Sequence, residues 1–399
     1  MIKTPKSLRL HIAIFGRRNV GKSSLLNAIT AQSVSIVSEI AGTTTDPVEK
    51  PMELLPIGPV LFIDTAGIDD IGALGQKRIE KTKQVFDRTD IAILVASQDQ
   101  WTEFEQSVLD TLATNKTPVI VVFNKADIGT PSEDLLEKLN HLKIPFVYTV
   151  ATEKKGISEL KQALIKMTPP DFLNVPSVIA DLVAPGQLAV LVVPIDKEAP
   201  KGRLIQPQVQ TIRDLLDNDS YCIVVKEREL RDALNRLKEP PAIVITDSQA
   251  FLKVSGDTPD SVPMTSFSIL FARLKGDLNE FVDGARKIDD LKSGDKILIA
   301  ESCTHHPIAD DIGRVKIPRW LRQYTGANLE FVTTQGHDFP ENLADYKLVI
   351  QCGGCMFNRQ EMLTRILKCK ALNVPITNYG VAIAFCLGIF ERALKPFQK

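Results

Sequence analysis

The chain has 399 residues, 44% of them hydrophobic, and a formal net charge of -1. This length predicts two or three domains, and the balanced charge argues against a basic surface for nucleic acid. No apolar run approaches the roughly 18 residues that span a bilayer, so we expect neither a membrane nor a nucleic acid as a partner.

The N-terminal segment MIKTPKSLRLHIAIFG has positive charges followed by apolar residues, as a secretory signal would. Its apolar part is short and leads directly into a glycine-rich loop, so we interpret it as the first strand and expect a cytoplasmic protein. In the cytoplasm, the six cysteines favour metal binding or redox chemistry over structural disulfides.

Three blocks of alternating strand and helix patterns follow one another along the chain, at residues 1–168, 177–260 and 264–399. The first has the apolar runs LHIAIFG, VLFIDTAG, IAILVAS, PVIVVFNKAD and PFVYTV. The second has LAVLVVPID, YCIVVKE and PAIVITD, with helices over 207–217 and 227–238. The third has KILIAE, LEFVTT, KLVIQ and VPIT. Strand-length Val- and Ile-rich runs between helical patterns predict three α/β domains with largely parallel sheets.

A phosphate-binding loop is predicted between the first strand and the first helix, where Gly16-Arg-Arg-Asn-Val-Gly-Lys-Ser23 fits the P-loop pattern. Its glycines let successive backbone N–H groups face the phosphates, and the helix dipole adds to this attraction. Lys22 is expected to reach the β- and γ-phosphates, and the Ser23 hydroxyl to bind Mg²⁺. The residues expected to contact the nucleotide here are Gly16, Asn19, Val20, Gly21, Lys22, Ser23 and Ser24.

Two further segments are expected around the metal ion and the γ-phosphate. Asp64-Thr-Ala-Gly67 follows a strand, so that Asp64 can hold Mg²⁺ through water and the Gly67 N–H can contact the γ-phosphate. Gly42-Thr-Thr-Thr-Asp46 lies in the loop after the first helix. There Thr44 is the candidate that completes the Mg²⁺ shell when this loop closes.

The base specificity is predicted from Asn124-Lys-Ala-Asp127, which follows the strand PVIVVF. Asp127 can accept hydrogen bonds from guanine N1–H and the exocyclic amine, a donor pair that adenine lacks. A site built on such a pairing rejects the analogue without it. Lys125 is expected to cover the face of the base through its stem.

Together these motifs resemble the GTPases of the Era and TrmE type. The last motif of that family is degenerate here, at Val150-Ala151, although the Ala151 N–H is still expected to meet guanine O6. Ile68 occupies the place of a water-orienting Gln, so intrinsic hydrolysis is expected to be slow or to need a helper. The resemblance implies that Asn19 binds K⁺, which supplies positive charge; the alternative is that Asn19 only stabilises the loop.

A cysteine-rich site is predicted in the last block, from Cys303-Thr-His-His306 and Gln351-Cys-Gly-Gly-Cys355. Each cluster follows a predicted strand, and ligands of open α/β sheets gather at the carboxyl ends of strands. Three thiolates favour an iron–sulfur cluster or zinc, while the CxxC pair before a helical pattern also fits a thioredoxin-type redox site. The other cysteines, expected to pack in the core, are Cys222, Cys369 and Cys386.

The order of these motifs over the whole chain resembles the HydF family, the GTPase maturation factors of [FeFe]-hydrogenase. The resemblance implies that Cys303, Cys352 and Cys355 hold a [4Fe-4S] cluster and that the middle block forms a homodimer. It further implies a scaffold that receives a transient diiron subcluster through two radical-SAM maturases and delivers it to the apo-hydrogenase.

The fourth position of this cluster is open in the sequence, because Gln351 stands where many relatives have His. An amide is a poor iron ligand. The alternatives are His305, an acid such as Glu301 or Asp310, or water. We favour water or a carboxylate, since His305 lies two residues from Cys303 and can orient that ligand instead.

Two other functions remain open from the sequence alone. One is an Era- or TrmE-like GTPase that acts on RNA or the ribosome, against which the neutral charge counts. The other is a GTP-gated zinc or thiol-redox protein, which iron content after anaerobic purification would exclude.

Overall fold

The computed structural model describes residues 4–30, 47–65, 82–97, 101–173, 177–195, 204–302 and 311–398, and the structural statements below refer to these residues. The chain divides into two compact units, Met1–Val175 and Pro176–Lys399. In the described residues, no helix is long and apolar enough to cross a membrane.

The first unit is built on a six-stranded sheet with the order β2-β3-β1-β4-β5-β6. Its strands are β1 (Leu10–Phe15), β2 (Val48–Leu54), β3 (Gly58–Asp64), β4 (Ile91–Ser97), β5 (Val119–Asn124) and β6 (Phe146–Thr149). The five strands predicted in this block are all present, and they pair in parallel. The central strands β1 and β4 are buried along their whole length, as expected for a sheet covered on both faces.

Strand β2 was not predicted, and its position explains why. It pairs antiparallel with β3 at the edge of the sheet, with Pro51 opposite Leu61. Its sequence VEKPMEL has charges and a proline in place of an apolar run. Proline is tolerated on an edge strand because one side of the strand makes no ladder hydrogen bonds.

Helices cover both faces of this sheet and bury two separate apolar clusters against it. They are α1 (Lys22–Thr30), α2 (Glu103–Thr114), α3 (Glu133–His141), α4 (Ile157–Met167) and the short α5 (Pro170–Leu173). Helix α2 begins with a capping box, in which the Thr102 hydroxyl accepts from the Phe104 N–H and Glu105 accepts from the Thr102 N–H.

The second unit contains two four-stranded parallel sheets, the first with the order β10-β9-β7-β8. Its elements are β7 (Leu188–Val192), α6 (Gln206–Asp217), β8 (Tyr221–Val225), α7 (Leu230–Asn235), β9 (Ile243–Thr246), α8 (Phe251–Asp257) and β10 (Met264–Ser266). The sequence assigns residues from 264 onward to the last block. In the structure, Met264–Ser266 pairs with β9, so these residues complete the middle sheet.

The last sheet has the order β12-β11-β13-β14. The strands are β11 (Lys296–Ala300), β12 (Glu330–Thr334), β13 (Leu348–Gln351) and β14 (Ile376–Asn378). The helices are α9 (Phe267–Lys275), α10 (Leu278–Arg286), α11 (Ile317–Thr325), α12 (Arg359–Ala371), α13 (Tyr379–Cys386) and α14 (Phe390–Leu394). Strands β11 and β13 are central neighbours, so the segments that follow them begin at the same edge of the sheet. The predicted α/β class is confirmed in both units.

Candidate functional site

The P-loop connects β1 to α1, and its lysine side chain folds back over it. Lys22 is buried, and its Nζ donates to the carbonyl oxygens of Gly16 and Arg17 at 2.7 and 2.6 Å. The Leu25 N–H donates to the Gly21 carbonyl at 2.8 Å, which begins the helix directly after the loop. The ammonium group and the helix N-terminus therefore lie on one short loop, the arrangement that binds phosphate groups.

Gly21 allows the P-loop to approach the base-recognition segment closely. Its φ is 94°, and a Cβ at this position would lie 2.3 Å from the Asn124 Nδ2. A larger residue would therefore meet both a strained backbone conformation and a steric clash.

The Asn124 side chain joins three segments of the nucleotide site. Its Nδ2 donates to the Val20 carbonyl at 2.9 Å, and its Oδ1 accepts from the Thr149 hydroxyl and the Ala151 N–H at 3.0 and 3.1 Å. The Asn124 side-chain amide therefore makes its hydrogen bonds within the protein. The Ala151 N–H, which the sequence analysis assigns to guanine O6, is also bonded within the protein, to Asn124.

Asp127 and Lys125 lie in the turn that follows β5. Asp127 is exposed, and its carboxylate has no hydrogen-bond partner among the described residues. Lys125 is half-buried, in the left-handed conformation with φ 60°. The turn that carries both residues is closed by the Ile128 N–H, which donates to the Lys125 carbonyl at 3.0 Å.

Asp64 and Ser23 form an oxygen-rich pair at the end of β3. The Ser23 hydroxyl donates to the Asp64 carboxylate at 3.0 Å. Burial raises the pKa of Asp64, while the Ser23 hydrogen bond and the charges of Lys22 and Lys50 oppose this rise. Mg²⁺ prefers hard oxygen ligands, so this pair suits it. The other residues predicted for this part of the site, Thr44, Gly67 and Ile68, lie outside the described residues.

Asn19 and Ser24 are both exposed at the P-loop. Asn19 has φ 66°, a left-handed conformation that Asn tolerates better than most residues. Its side chain makes no hydrogen bond with the part of the chain that the structure describes. The sequence missed Arg17, which pairs with Glu105 at 2.9 Å and lies over the Phe104 ring, fastening the loop to α2.

The second site lies at the carboxyl ends of β11 and β13, where the sulfur of Cys352 is surrounded by hydrogen-bond donors. The Cys352 Sγ accepts from the backbone N–H groups of Ser302 and Gly354 at 3.0 and 3.5 Å. The Gln351 Nε2 is 3.6 Å from the same sulfur, and the thiol itself donates to the Ser302 hydroxyl at 3.0 Å. Three N–H groups therefore point at one cysteine sulfur.

Gln351 is fully buried and belongs to a chain of polar side chains. Its Oε1 accepts from Arg365 at 3.0 Å, which turns the amide nitrogen toward Cys352. Arg365 pairs in turn with Glu361 at 3.4 Å, and the Glu361 carboxylate is 3.0 Å from His337 Nδ1. The guanidinium also lies over the Phe357 ring, 4.3 Å from its centroid. Neither His337 nor Arg365 was assigned a role from the sequence. The sequence signal for the ion pair is the spacing of Glu361 and Arg365, which lie four residues apart on a buried helix face.

Burial raises the pKa of the Cys352 thiol, and the nearby Cys355 raises it further, against the hydrogen bonds from Ser302 and Gly354. Redox cysteines of the thioredoxin type have a lowered pKa and commonly lie at a helix N-terminus. Here α12 begins only at Arg359, beyond the CxxC segment. Both features disfavour the redox-pair interpretation.

Gly354 shapes the loop between the two cysteines. Its φ is 64°, and a Cβ there would be 2.5 Å from the Met362 side chain. The Phe357 N–H donates to the Gly354 carbonyl at 3.0 Å and closes the turn after the loop. The backbone therefore bends tightly between Cys352 and Cys355.

Lys275, at the end of α9, lies beneath this loop and was not predicted. It is 3% exposed, and its Nζ donates to the carbonyl oxygens of Gly354 and Phe357 at 2.8 and 2.7 Å. Burial lowers its pKa to about 8, although Cys355, Cys352 and Glu361 oppose this change. The only sign in the sequence is a lysine at the end of the apolar helix FSILFARLK.

The remaining predicted ligands are placed only in part. Cys303, His305 and Asp310 lie outside the described residues, and within those residues no group of three possible ligands forms a metal site. Glu301 is buried, and its Oε2 is bound by Arg314 and Gln335 at 3.2 and 3.3 Å. Its carboxylate is thus already engaged by protein groups.

The three other cysteines lie in apolar surroundings, as predicted. Cys369 is fully buried, while Cys222 and Cys386 are half-buried against apolar clusters. Burial raises the pKa of all three thiols, to about 12 for Cys369 and Cys386. None of them belongs to the Cys352 site.

Comparison with known families divides the chain in the same order. Residues 11–125 match the family described as 50S ribosome-binding GTPase. Residues 178–276 match the hydrogen maturase F dimerization domain, and residues 279–396 match the hydrogen maturase F tetramerization domain. The two maturase families together cover more than half of the chain, and they disfavour the RNA-directed and zinc or redox alternatives.

Relatives of the GTPase part alone are also found. The tRNA modification GTPase MnmE of Chromobacterium violaceum is 38% identical over 160 residues, which are 40% of this chain and 34% of that protein. GTPase Der of Wolinella succinogenes is 34% identical over 41% of this chain and 37% of its own length. The chain thus spans about a third of these curated relatives. The solved G domain of the T. maritima FeoB iron transporter is 26% identical, covering 40% of this chain and 99% of that one, with a TM-score of 0.32.

Proposed function

Because the chain belongs to the hydrogen maturase F (HydF) family, we propose that it is a GTPase scaffold that binds a [4Fe-4S] cluster through Cys303, Cys352 and Cys355. In this proposal it carries the diiron subcluster of [FeFe]-hydrogenase during active-site maturation. Its partners are two radical-SAM maturases, which supply that cargo, and the apo-hydrogenase, which receives it.

The surroundings of the Cys352 sulfur are the observation that carries the cluster proposal. N–H groups of Ser302, Gly354 and Gln351 all point at it, and such donors stabilise a thiolate ligand. Cys303 follows Ser302 directly in the sequence, and the Ser302 N–H and hydroxyl both contact the Cys352 sulfur. This contact supports Cys303 as the third ligand beside Cys352 and Cys355.

A [4Fe-4S] cluster held by three thiolates keeps one iron open to an exchangeable ligand, which suits a carrier of a second metal unit. Gln351 is held by Arg365 as a donor to Cys352, and Glu301 is held by Arg314. Both contacts favour water, His305 or Asp310 at the open position. His305→Ala should keep the iron but change the cluster spectrum, whereas iron loss as complete as in Cys352→Ser would mean an ordinary four-ligand site.

For the nucleotide, we propose GTP with Mg²⁺ bound by Ser23 and Thr44 and assisted by Asp64. The Ser23–Asp64 contact of 3.0 Å supports the metal position. The exposed Asp127 carboxylate, which makes no hydrogen bond with the described residues, supports guanine recognition. The Lys22 ammonium, which lies on the carbonyls of the phosphate-binding loop, binds the β- and γ-phosphates in this proposal.

We also propose that Asn19 binds K⁺ and that K⁺ stimulates hydrolysis. Its exposed amide makes no hydrogen bond with described residues, which favours a ligand role over loop stabilisation. Asn19→Ala would also strain the backbone, because φ is 66°. Asn19→Gly removes the side chain and tolerates the positive φ, so it is the better test. The GTPase rate should rise when K⁺ replaces Na⁺ in the native protein but not in Asn19→Gly, and equal rates in both salts would contradict the proposal.

Self-association through residues 177–260 completes the proposal, as a homodimer. Strand β8 is an edge of its sheet, and Tyr221 and Val224 on it are 61% and 45% exposed. Apolar side chains on an open edge are what a second copy would cover. Light scattering should find a dimer that Val224→Arg weakens and Leu142→Arg, on an exposed turn of the first unit, leaves intact.

Cargo delivery is the direct test of the proposed function. The protein is co-expressed with both radical-SAM maturases, purified without oxygen and mixed with apo-[FeFe]-hydrogenase, and hydrogen evolution is measured. The native chain and Cys222→Ser should activate the hydrogenase, whereas Cys352→Ser should not. Activation by Cys352→Ser at the native level would refute the cluster site as the carrier.

A further inference from the structure

The buried ammonium of Lys275 makes its hydrogen bonds with the cysteine loop, residues 352–357. It donates to the carbonyl oxygens of Gly354 and Phe357 at 2.8 and 2.7 Å, and the Cys355 carbonyl lies at 3.5 Å. A lysine ammonium has three N–H donors, so the loop between Cys352 and Phe357 supplies a partner for each. Helix α9 therefore fixes the path of the backbone that carries the two cysteines.

The charge of Lys275 has no carboxylate at ion-pair distance among the described residues. A buried charge is costly unless an opposite charge compensates it. The groups of opposite sign that act on it are, in order, the sulfurs of Cys355 and Cys352 and then Glu361. The two thiolates of an occupied metal site therefore oppose the charge of Lys275 more strongly than Glu361 does.

Arg365 of α12 offers an internal contrast. It is also buried, but Glu361 neutralises it at 3.4 Å, and it donates hydrogen bonds to the Gln351 Oε1 and the Gly336 carbonyl. Arg365 is thus paired with a carboxylate of the protein, whereas the charge of Lys275 is opposed mainly by the cysteine sulfurs.

We propose that Lys275 is the positioning and charge-compensating residue of the metal centre at Cys352 and Cys355. It holds the loop in its ligating conformation, and its positive charge offsets the negative charge that the thiolates bring. This inference rests on the proposed cluster site. Net charge near a cluster is one of the factors that set its reduction potential, so Lys275 raises that potential.

The test compares Lys275→Met and Lys275→Gln, which remove the charge, with Lys275→Arg, which keeps it, and with the exposed Lys287→Met as a control. After anaerobic reconstitution, the cluster potential is measured by redox titration with EPR detection. The affinity of the metal-free protein for Zn²⁺ alone is measured against a chelator. Both neutral variants should show a more negative potential and about tenfold weaker Zn²⁺ binding, with Lys275→Arg closer to the native protein.

A merely structural lysine predicts a different pattern, in which iron content falls but the potential of the remaining cluster is unchanged. Lys275→Gln keeps amide donors for the loop carbonyls, so it supplies the comparison if Lys275→Met does not fold. An unchanged potential and Zn²⁺ affinity in either folded neutral variant would overturn this inference alone. A native protein that binds neither iron nor Zn²⁺ would instead refute the proposed function.

Discussion

The nucleotide loop and the cysteine loop both follow parallel strands, but the lysines that bind their backbone carbonyls come from different distances along the chain. In the P-loop, Lys22 is bound to carbonyls five and six residues before it. At Cys352 the supporting groups come from α9, α12 and the segment that ends at Ser302. The P-loop lysine is therefore held by the backbone of its own loop, which Asn124 and Glu105 also contact from other elements. The lysine that binds the cysteine loop comes from a separate helix.

Because of this difference, the two sites are expected to tolerate different substitutions. The P-loop presents backbone N–H groups, so a few glycines and one lysine define it. The cysteine loop packs near two buried cations, Lys275 of α9 and Arg365 of α12. The energetic cost of burying them has to be offset by carbonyls, by Glu361 or by the thiolates. We therefore expect base-recognition changes to leave the second unit intact, and changes in buried partners to act on the second unit alone.

The largest expected effect is on guanine recognition. Asp127→Asn should weaken GTP binding about 10⁴-fold, because an amide donor then faces the guanine donors, and it should admit xanthosine triphosphate. Titration of both nucleotides checks this, with Asp134→Asn on exposed α3 as the control. Iron content should stay at the native level. Equal affinity of the native protein for ATP and GTP would contradict the assignment.

Removal of the Arg365 charge should have the next largest effect, and only in the second unit. Arg365→Met leaves Glu361 with His337 alone and Gln351 without its donor, which should destabilise this region by about 3–5 kcal/mol. Hydrogen exchange should accelerate in residues 348–371 and not in 91–124. The double variant Arg365→Met/Glu361→Gln should recover part of the loss, and no recovery would mean that the charge is not the cause.

Most strands could be predicted from the sequence because buried parallel strands are unbroken apolar runs. Strand β2 could not, since an edge strand can carry charges and Pro51. The domain boundary predicted at 264 differs from the structure because β10 has only three residues, too few to show a strand periodicity in the sequence. Its pairing with β9 depends on tertiary contacts.

The two sites differ in the same way. Lys22, Ser23, Asp64 and Asp127 follow from motif spacing, and the structure brings Lys22, Ser23 and Asp64 together, as the shared contacts of Asp64 indicate. Lys275 has no motif, and its role depends on a helix packing under a loop 79 residues away. Sequence spacing predicts the ligands, and only the fold identifies what surrounds them.

A smaller effect is expected at Gln351, whose amide donates to Cys352. Gln351→Ala should cost about 1–2 kcal/mol, because it removes one N–H···S contact and one acceptor of Arg365. Iron should be retained with an altered cluster spectrum. Gln351→Glu keeps the acceptor for Arg365 but removes the donor, so it separates the two contacts. Complete iron loss in Gln351→Ala would make Gln351 a ligand and contradict the structure.

The smallest effect concerns acid stability of the first unit. Burial alone would raise the pKa of Glu49, but Lys6 and Arg88 lower it from the usual 4.5 to about 2. The carboxylate therefore stabilises the fold fully above pH 4.5, and this contribution is lost as the pH falls from 4.5 to 2. After a discount for solvent screening, the contribution of Glu49 to the free energy of unfolding is about 1 kcal/mol.

Trp101 can report this loss, because the only other tryptophan is Trp320 in the second unit. In a Trp320→Phe background, urea unfolding followed by Trp101 fluorescence should show a stability that falls with acid between pH 4.5 and 2. Glu49→Gln should flatten that dependence. A parallel fall in both proteins would assign the acid sensitivity to other groups.

Iron and sulfide content after anaerobic reconstitution tests the central claim most directly. The native chain and the control Cys222→Ser should each hold about four irons and four sulfides, with the EPR signal of a reduced [4Fe-4S] cluster. Cys303→Ser, Cys352→Ser and Cys355→Ser should each lose most of the iron while still hydrolysing GTP. A native protein without iron, or serine variants that keep the full cluster, would contradict the assignment.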